Sequence, residues 1–143
     1  MNFKNKAVRN ILKEALGFRT TWTYLNASEN PVEPSGRLYV VVRNDLAPGI
    51  QISQSIHAKD EFTRRYPELE ATWARDSNTI IILSGSNNDL YSVIGKALTK
   101  GVCYATFKEP QLNNEVTAVA LEPSYSTVEV VRGLPLALRE LVR

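Results

Sequence analysis

A short apolar run, Leu38-Tyr39-Val40-Val41-Val42, gives way at once to Arg43-Asn44-Asp45, and Pro48-Gly49 then breaks the chain before an amphipathic stretch that begins near Gln51. The run is rich in β-branched residues and no polar residue alternates through it, so it reads as a strand buried on both faces. A buried strand, a polar loop and a helix N-terminus make half of a βαβ unit. In open α/β sheets, ligands sit beside the carboxyl ends of such strands. His57, the chain's one histidine, falls about two turns into that helix. Arg43, Asp45, Gln54 and His57 are therefore expected to converge on one crevice.

The rest of the chain extends this pattern. Residues 51–66 are expected as the first core helix, with Ile52, Ile56 and Phe62 supplying its apolar contacts and Pro67 ending it. A short second helix is expected to follow to Arg75, carrying Leu69 and Trp73. Residues 79–83 form a second apolar strand, and Ser86 or Asn87 can cap a helix over 88–100 that Gly101 stops. Residues 102–107 and 116–121 read as the third and fourth strands, joined by a polar loop over 108–114. Residues 127–131 read as a short helix or an edge strand, and the leucines of the tail follow no clear period. The order predicts a three-layer α/β/α domain over 37–143 with a four-stranded mixed, mostly parallel sheet. The short link before the fourth strand makes its pairing with the third antiparallel.

Ahead of this domain, Ala7, Val8, Ile11, Leu12, Ala15 and Leu16 recur at helical spacing, and Asn26, Ser28, Pro31 and Pro34 mark a linker. Residues 1–36 are expected to be an amphipathic helix and linker, either docked on the domain or presented to a partner. Charge is unevenly spread. Residues 1–37 hold six Lys/Arg against three acids, whereas residues 38–124 hold eight against ten. The core is therefore no broad polycation, and a nucleic acid would need a local patch or help from the N-terminal arm. No stretch approaches the ~20 apolar residues of a membrane span, so a cytoplasmic protein without membrane contact is expected. One cysteine and one histidine cannot form a usual zinc set, and Cys103 in its apolar run reads as buried. No phosphate-loop or nucleotide fingerprint is present, so neither a metal nor a cofactor is expected.

Two stretches carry a family resemblance. The first is Val41-Val42-Arg43-Asn44-Asp45-Leu46 followed by Gly49, Gln54, His57 and Ala58, and the second is Val116-Thr117-Ala118-Val119-Ala120-Leu121-Glu122-Pro123. Together they resemble the type II peptidyl-tRNA hydrolases, and the resemblance covers residues 37–137. It implies an α/β domain that cleaves the ester between peptide and tRNA, with tRNA as partner. The family's lysine after the loop glycine corresponds to Ile50 here. Its aspartate on the third strand aligns with Ala105, and its threonine four residues on aligns with Glu109. Chains with Pro-Gly in the first loop and a Phe-Lys-Glu-Pro segment, as in 107–110, form a divergent branch to which this one is most similar.

Ester hydrolysis needs an activated water, a donor for the oxyanion and a grip on the phosphates. His57 is a candidate base, because imidazole exchanges protons near neutral pH. Asp45 or Glu109 can orient it, or Glu109 can itself be the base. Arg43, Lys59 and Lys108 are candidates for phosphate contacts, with Gln54 and Thr117 completing the substrate-binding set. Plainer readings stand beside these: a helical histidine that packs, an aspartate that caps a turn, a solvated helix face around Lys59. Two alternatives to the enzyme remain. One is a catalytically inactive module on the same fold that binds tRNA or a protein. The other is an enzyme with a different substrate. An exposed sheet edge and the apolar face of the first helix also make a homodimer an expectation.

Overall fold

The computed structural model describes Asn30 and residues 36–139. The helix expected over 4–16, and the linker apart from Asn30 and Gly36, lie outside those residues. Proline and glycine set most of the boundaries. Strand β1 (Arg37–Arg43) runs into a turn, and Pro48 opens helix α1 (Pro48–Arg65). A proline is tolerated there because the first helical N–H has no partner to lose. Pro67 opens α2 (Pro67–Asp76) for the same reason. Strand β2 (Thr79–Gly85) leads into α3 (Asn87–Lys100), where Ser86 accepts from the Asp89 amide and the Asp89 carboxylate accepts from the Ser86 amide. This reciprocal capping satisfies two orphan donors. Gly101, at φ 66°, ends α3 in the left-handed conformation. Then come β3 (Tyr104–Glu109), a single 3₁₀ turn (Pro110–Leu112), β4 (Glu115–Leu121) and α4 (Tyr125–Val130). The segment that sequence leaves between helix and edge strand is thus helical.

The four strands are ordered β2-β1-β4-β3. β1 pairs with β2 in parallel, while β4 pairs antiparallel with both β1 and β3. The sheet is therefore mixed, with one parallel pairing and two antiparallel ones, and by pairing it is not the mostly parallel sheet expected. The reason is placement. β1, β2 and β3 point the same way, but β4 returns in the opposite sense and inserts between β1 and β3. An antiparallel β3–β4 pair was expected; its position in the sheet was not.

Alternate residues of β1 enter different apolar clusters. Leu38, Val40 and Val42 join Ala58, Phe62, Leu69 and Trp73 of α1 and α2, while Val41 joins Leu90, Val93 and Ala97 of α3 and Val130 of α4. Cys103 is buried in the first cluster. The outer edge of β2 is partly covered by the tail, where Ser84 N–H donates to Pro135 O and Ala137 N–H to Ile82 O, each at 2.9 Å. At the far end of the sheet the fully buried Glu122 accepts hydrogen bonds from the Cys103 amide and from Asn30 Nδ2.

One expectation fails in an informative way. Ile52 and Ile56 were to face inward, yet they are 51% and 56% exposed. The face α1 turns to the sheet carries Gln51, Gln54, Ser55, Ala58 and Phe62. Hydrogen bonds hold both ends of the Gln54 amide and the Gln51 amide nitrogen, and Ala58 lets the helix approach closely, so the polar stripe wins over the apolar one.

The Ser86 cap gives a direct check on local stability. Ser86→Ala removes the acceptor for the Asp89 amide and should lower unfolding free energy by about 1 kcal/mol, read by urea denaturation. An unchanged midpoint would show that water replaces the cap.

Candidate functional site

The carboxyl ends of β1 and β3, the amino end of β4 and the first turns of α1 meet at one end of the sheet. A β-bulge shapes this meeting. Phe107 pairs with Ala118 but Lys108 pairs with Val116, so Thr117 is left as an extra residue on β4. A bulge re-aims the side chain it carries. The fully buried Thr117 donates from Oγ1 to Gln54 Oε1 at 2.6 Å. Gln54, 5% exposed, passes the direction on: its Nε2 donates to Glu109 Oε2 at 2.8 Å. The other oxygen of Glu109 accepts from the Gln111 amide at 3.2 Å.

Thr117, Gln54 and Glu109 thus form a chain of donors that ends on a carboxylate. The Gln54 hydrogen bond, the Gln111 amide and the nearby His57 hold the Glu109 carboxyl below the usual glutamate range. It is an anion at neutral pH. His57 lies one turn beyond Gln54 and is exposed, its ring stacked on Phe107 with centroids 4.5 Å apart and planes 21° from parallel. The stack fixes the ring's plane beside Glu109.

The second polar group at this end is an ion cluster. Arg43 donates from Nε and Nη2 to the two oxygens of Asp45 at 3.0 and 2.6 Å, and from Nη1 to Glu115 at 2.7 Å. The guanidinium is nearly buried, and it holds the Asp45 carboxyl below its ordinary value. Glu115 is also the strand partner of Glu109. Two like charges directly opposite repel; here Glu115 is bonded to Arg43, which it shares with Asp45, and Glu109 is stabilised by amide donors.

These positions sort the residues singled out in the sequence. Gln54, His57, Glu109 and Thr117 come together, with Lys108 exposed beside Glu109. Asp45 binds Arg43 rather than His57, so it does not orient the imidazole. Lys59 points elsewhere: its Nζ bonds Glu70 at 2.7 Å and Thr63 at 2.9 Å and lies 5.3 Å from the Trp73 ring centroid, tying α1 to α2. Ile50 is exposed near the start of α1. Ala105, by contrast, pairs with Ala120 and is 1% exposed, so a carboxylate at that position would sit inside the sheet. Phe107 and Glu115 escape sequence reasoning. Their roles follow from strand register, which no local pattern encodes.

Among the described residues no group of three or more His, Cys, Asp or Glu is arranged to hold a metal ion, and no helix is long and apolar enough to cross a membrane. No family model and no curated protein matches the chain. Solved structures share the fold. One is a protein of unknown function from Agrobacterium tumefaciens, 13% identical, with a TM-score of 0.57 over 71% of this chain and 97% of that one. The likeness is one of fold.

Thr117→Val deletes the donor to Gln54 while keeping the side chain's shape. It should cost about 1–3 kcal/mol, because the Gln54 carbonyl is left buried without a partner, measured by denaturant unfolding. Gln54→Leu should move the Glu109 titration up toward the ordinary glutamate value in an NMR pH series. An unmoved titration would show that the amide does not set the carboxylate's charge.

Proposed function

We propose that this chain is a hydrolase of the peptidyl-tRNA type, cleaving the ester between a peptide and tRNA. The observation that carries the reading is the Thr117–Gln54–Glu109 chain with His57 beside it, at the strand ends where α/β folds bind ligands. A three-layer α/β/α arrangement of the whole domain belongs to the same reading. It is supported by the two apolar clusters on opposite residues of β1. A cytoplasmic setting, where charged tRNA is handled, goes with it.

On this reading Glu109 is the base. Its carboxylate takes a proton from a water whose oxygen attacks the ester carbonyl carbon. The bond from that carbon to the ribose oxygen then breaks, and the ribose oxygen leaves with the proton returned from Glu109. His57, held flat on Phe107, offers a ring N–H to the oxyanion as charge develops there. Gln54 orients Glu109 and is a positioning residue. Lys108 is the exposed cation at this end for a phosphate of the acceptor stem.

A binding module without catalysis is the second reading, and one specific observation favours it. Arg43 and Lys59 are already paired with carboxylates of the domain itself. They are poorly placed to grip a substrate's phosphates, and the N-terminal arm would then supply the basic contacts.

Hydrolysis of a purified N-blocked aminoacyl-tRNA separates the two. Wild type should release free tRNA, and Glu109→Gln should lower kcat by about 100-fold or more, the usual worth of a positioned base. His57→Ala should reduce kcat by a similar factor of about 100 with KM little changed. Because the Glu109 carboxyl is held low, its acid limb should lie below the ordinary ~4.3 of a glutamate. Activity is lost only as pH falls below the ordinary glutamate range; a limb at neutral pH would assign the base to another group. No hydrolysis by folded protein, together with retarded tRNA in a low-salt gel shift, would leave the binding module.

A further inference from the structure

Along α1, Ile50, Gln54 and His57 follow one another at intervals of four and three residues. At about 100° per residue, Ile50 and His57 stand within about 20° of each other, one turn to either side of Gln54. This flank of the helix faces β3, because His57 stacks on Phe107 and Gln54 donates to Glu109. The two contacts also set the relative direction of helix and strand. A step toward the start of α1 is matched by a step toward the end of β3. One turn further on, Ile50 therefore comes level with the 3₁₀ turn Pro110–Leu112 that follows Glu109. Ile50 is 49% exposed and Leu112 37%, and Pro110 is exposed as well.

Glu109 thus stands between two unlike surfaces. Toward the middle of α1 lies the stacked pair of rings. Toward its start lies an apolar lip of Ile50, Pro110 and Leu112, and neither the first turn of α1 nor the 3₁₀ turn carries a charged side chain. An ester between a peptide and tRNA is unlike at its two ends in the same way. Its ribose carries a base at a single-stranded end, and unstacked bases settle on aromatic side chains, histidine included. Its acyl group carries an amino-acid side chain. An apolar one removes the lip from water, whereas a polar one gives up its own water there without a partner in return.

We propose that the ester lies along α1 with its terminal base over the exposed face of His57 and its acyl side chain on the lip, so that Ile50 and Leu112 select apolar acyl groups. The edge of the imidazole stays open to the oxyanion in this pose. The orientation rests on the hydrolase reading and adds to it a substrate class.

The test is hydrolysis, by the full chain, of one tRNA charged in turn with N-acetyl-leucine and N-acetyl-asparagine, whose side chains are nearly the same size. The leucyl ester should be cleaved with about tenfold higher kcat/KM. Ile50→Ser, a change at a half-exposed position, should bring that ratio toward one, and Leu112→Ser should lower it as well. His57→Ala should slow both esters and keep the ratio, because the acyl group lies away from the imidazole. Equal rates on the two esters in the wild type, or a ratio untouched by Ile50→Ser, would overturn the proposal. A ratio that collapses in His57→Ala would reverse the orientation and overturn it too. Cleavage of neither ester by folded wild type refutes the hydrolase reading itself, and this orientation with it.

Discussion

The side-chain amide of Gln54 is the interaction on which the candidate site depends. An amide can accept with its oxygen and donate with its nitrogen, and Gln54 does both within a nearly dry interface. Leaving either end unpaired there would be costly, so the three partners fix one another. For Gln54 to reach Thr117, α1 must turn its glutamines toward the sheet, which sends Ile52 and Ile56 outward. For Thr117 to reach Gln54, β4 must carry an extra residue at the level of Phe107 and Lys108. Helix rotation and strand bulge are two halves of one constraint. Each would be a local defect without the other.

Charge balance at this end follows the same economy. Three carboxylates gather there, and one nearly buried guanidinium bonds two of them, Asp45 and Glu115, leaving that cluster one negative charge in excess. Glu109 is treated differently, since it is held by neutral N–H donors and, among the described residues, no cation is bonded to it. An anion stabilised by dipoles keeps its full charge toward solvent, whereas one paired with arginine does not. Glu109 is thus the carboxylate at this end that remains available to something arriving from outside. The same logic removes Lys59 from the site, because its ammonium already serves Glu70 and the face of Trp73.

The succession of elements was legible because punctuation wrote it. Pro48, Pro67, Ser86 and Gly101 stand at or next to helix ends for reasons of backbone chemistry that hold in any fold. What could not be read was orientation and neighbourhood. Apolar periodicity pointed Ile52 and Ile56 inward, since counting apolar residues has no way to weigh two specific hydrogen bonds against two isoleucines. The place of β4 between β1 and β3 rests on pairings of distant segments, so Glu115 as the partner of Arg43 was invisible. Gln54, His57 and Thr117 were named from their motifs and do meet. Asp45, which belongs to the same motif, and Lys59, a candidate from the charged helix face, do not.

The third strand shows why a motif position and a chemical position differ. Ungapped comparison with the peptidyl-tRNA hydrolase pattern sets Ala105 where a carboxylate is expected, and the residue is walled in by Ala120 and the helix above it. An aspartate there would need its own donors inside the sheet, and its alanine neighbours provide none. Four residues further along the same strand, Glu109 reaches the rim, where Gln54 and the Gln111 amide meet it. A strand carries side chains outward at about 3.3 Å per residue. Moving a carboxylate from residue 105 to 109 thus carries it some 13 Å toward solvent. On the proposed reading, this chain holds its base at the strand's end, where Gln54 and the Gln111 amide fix the carboxylate.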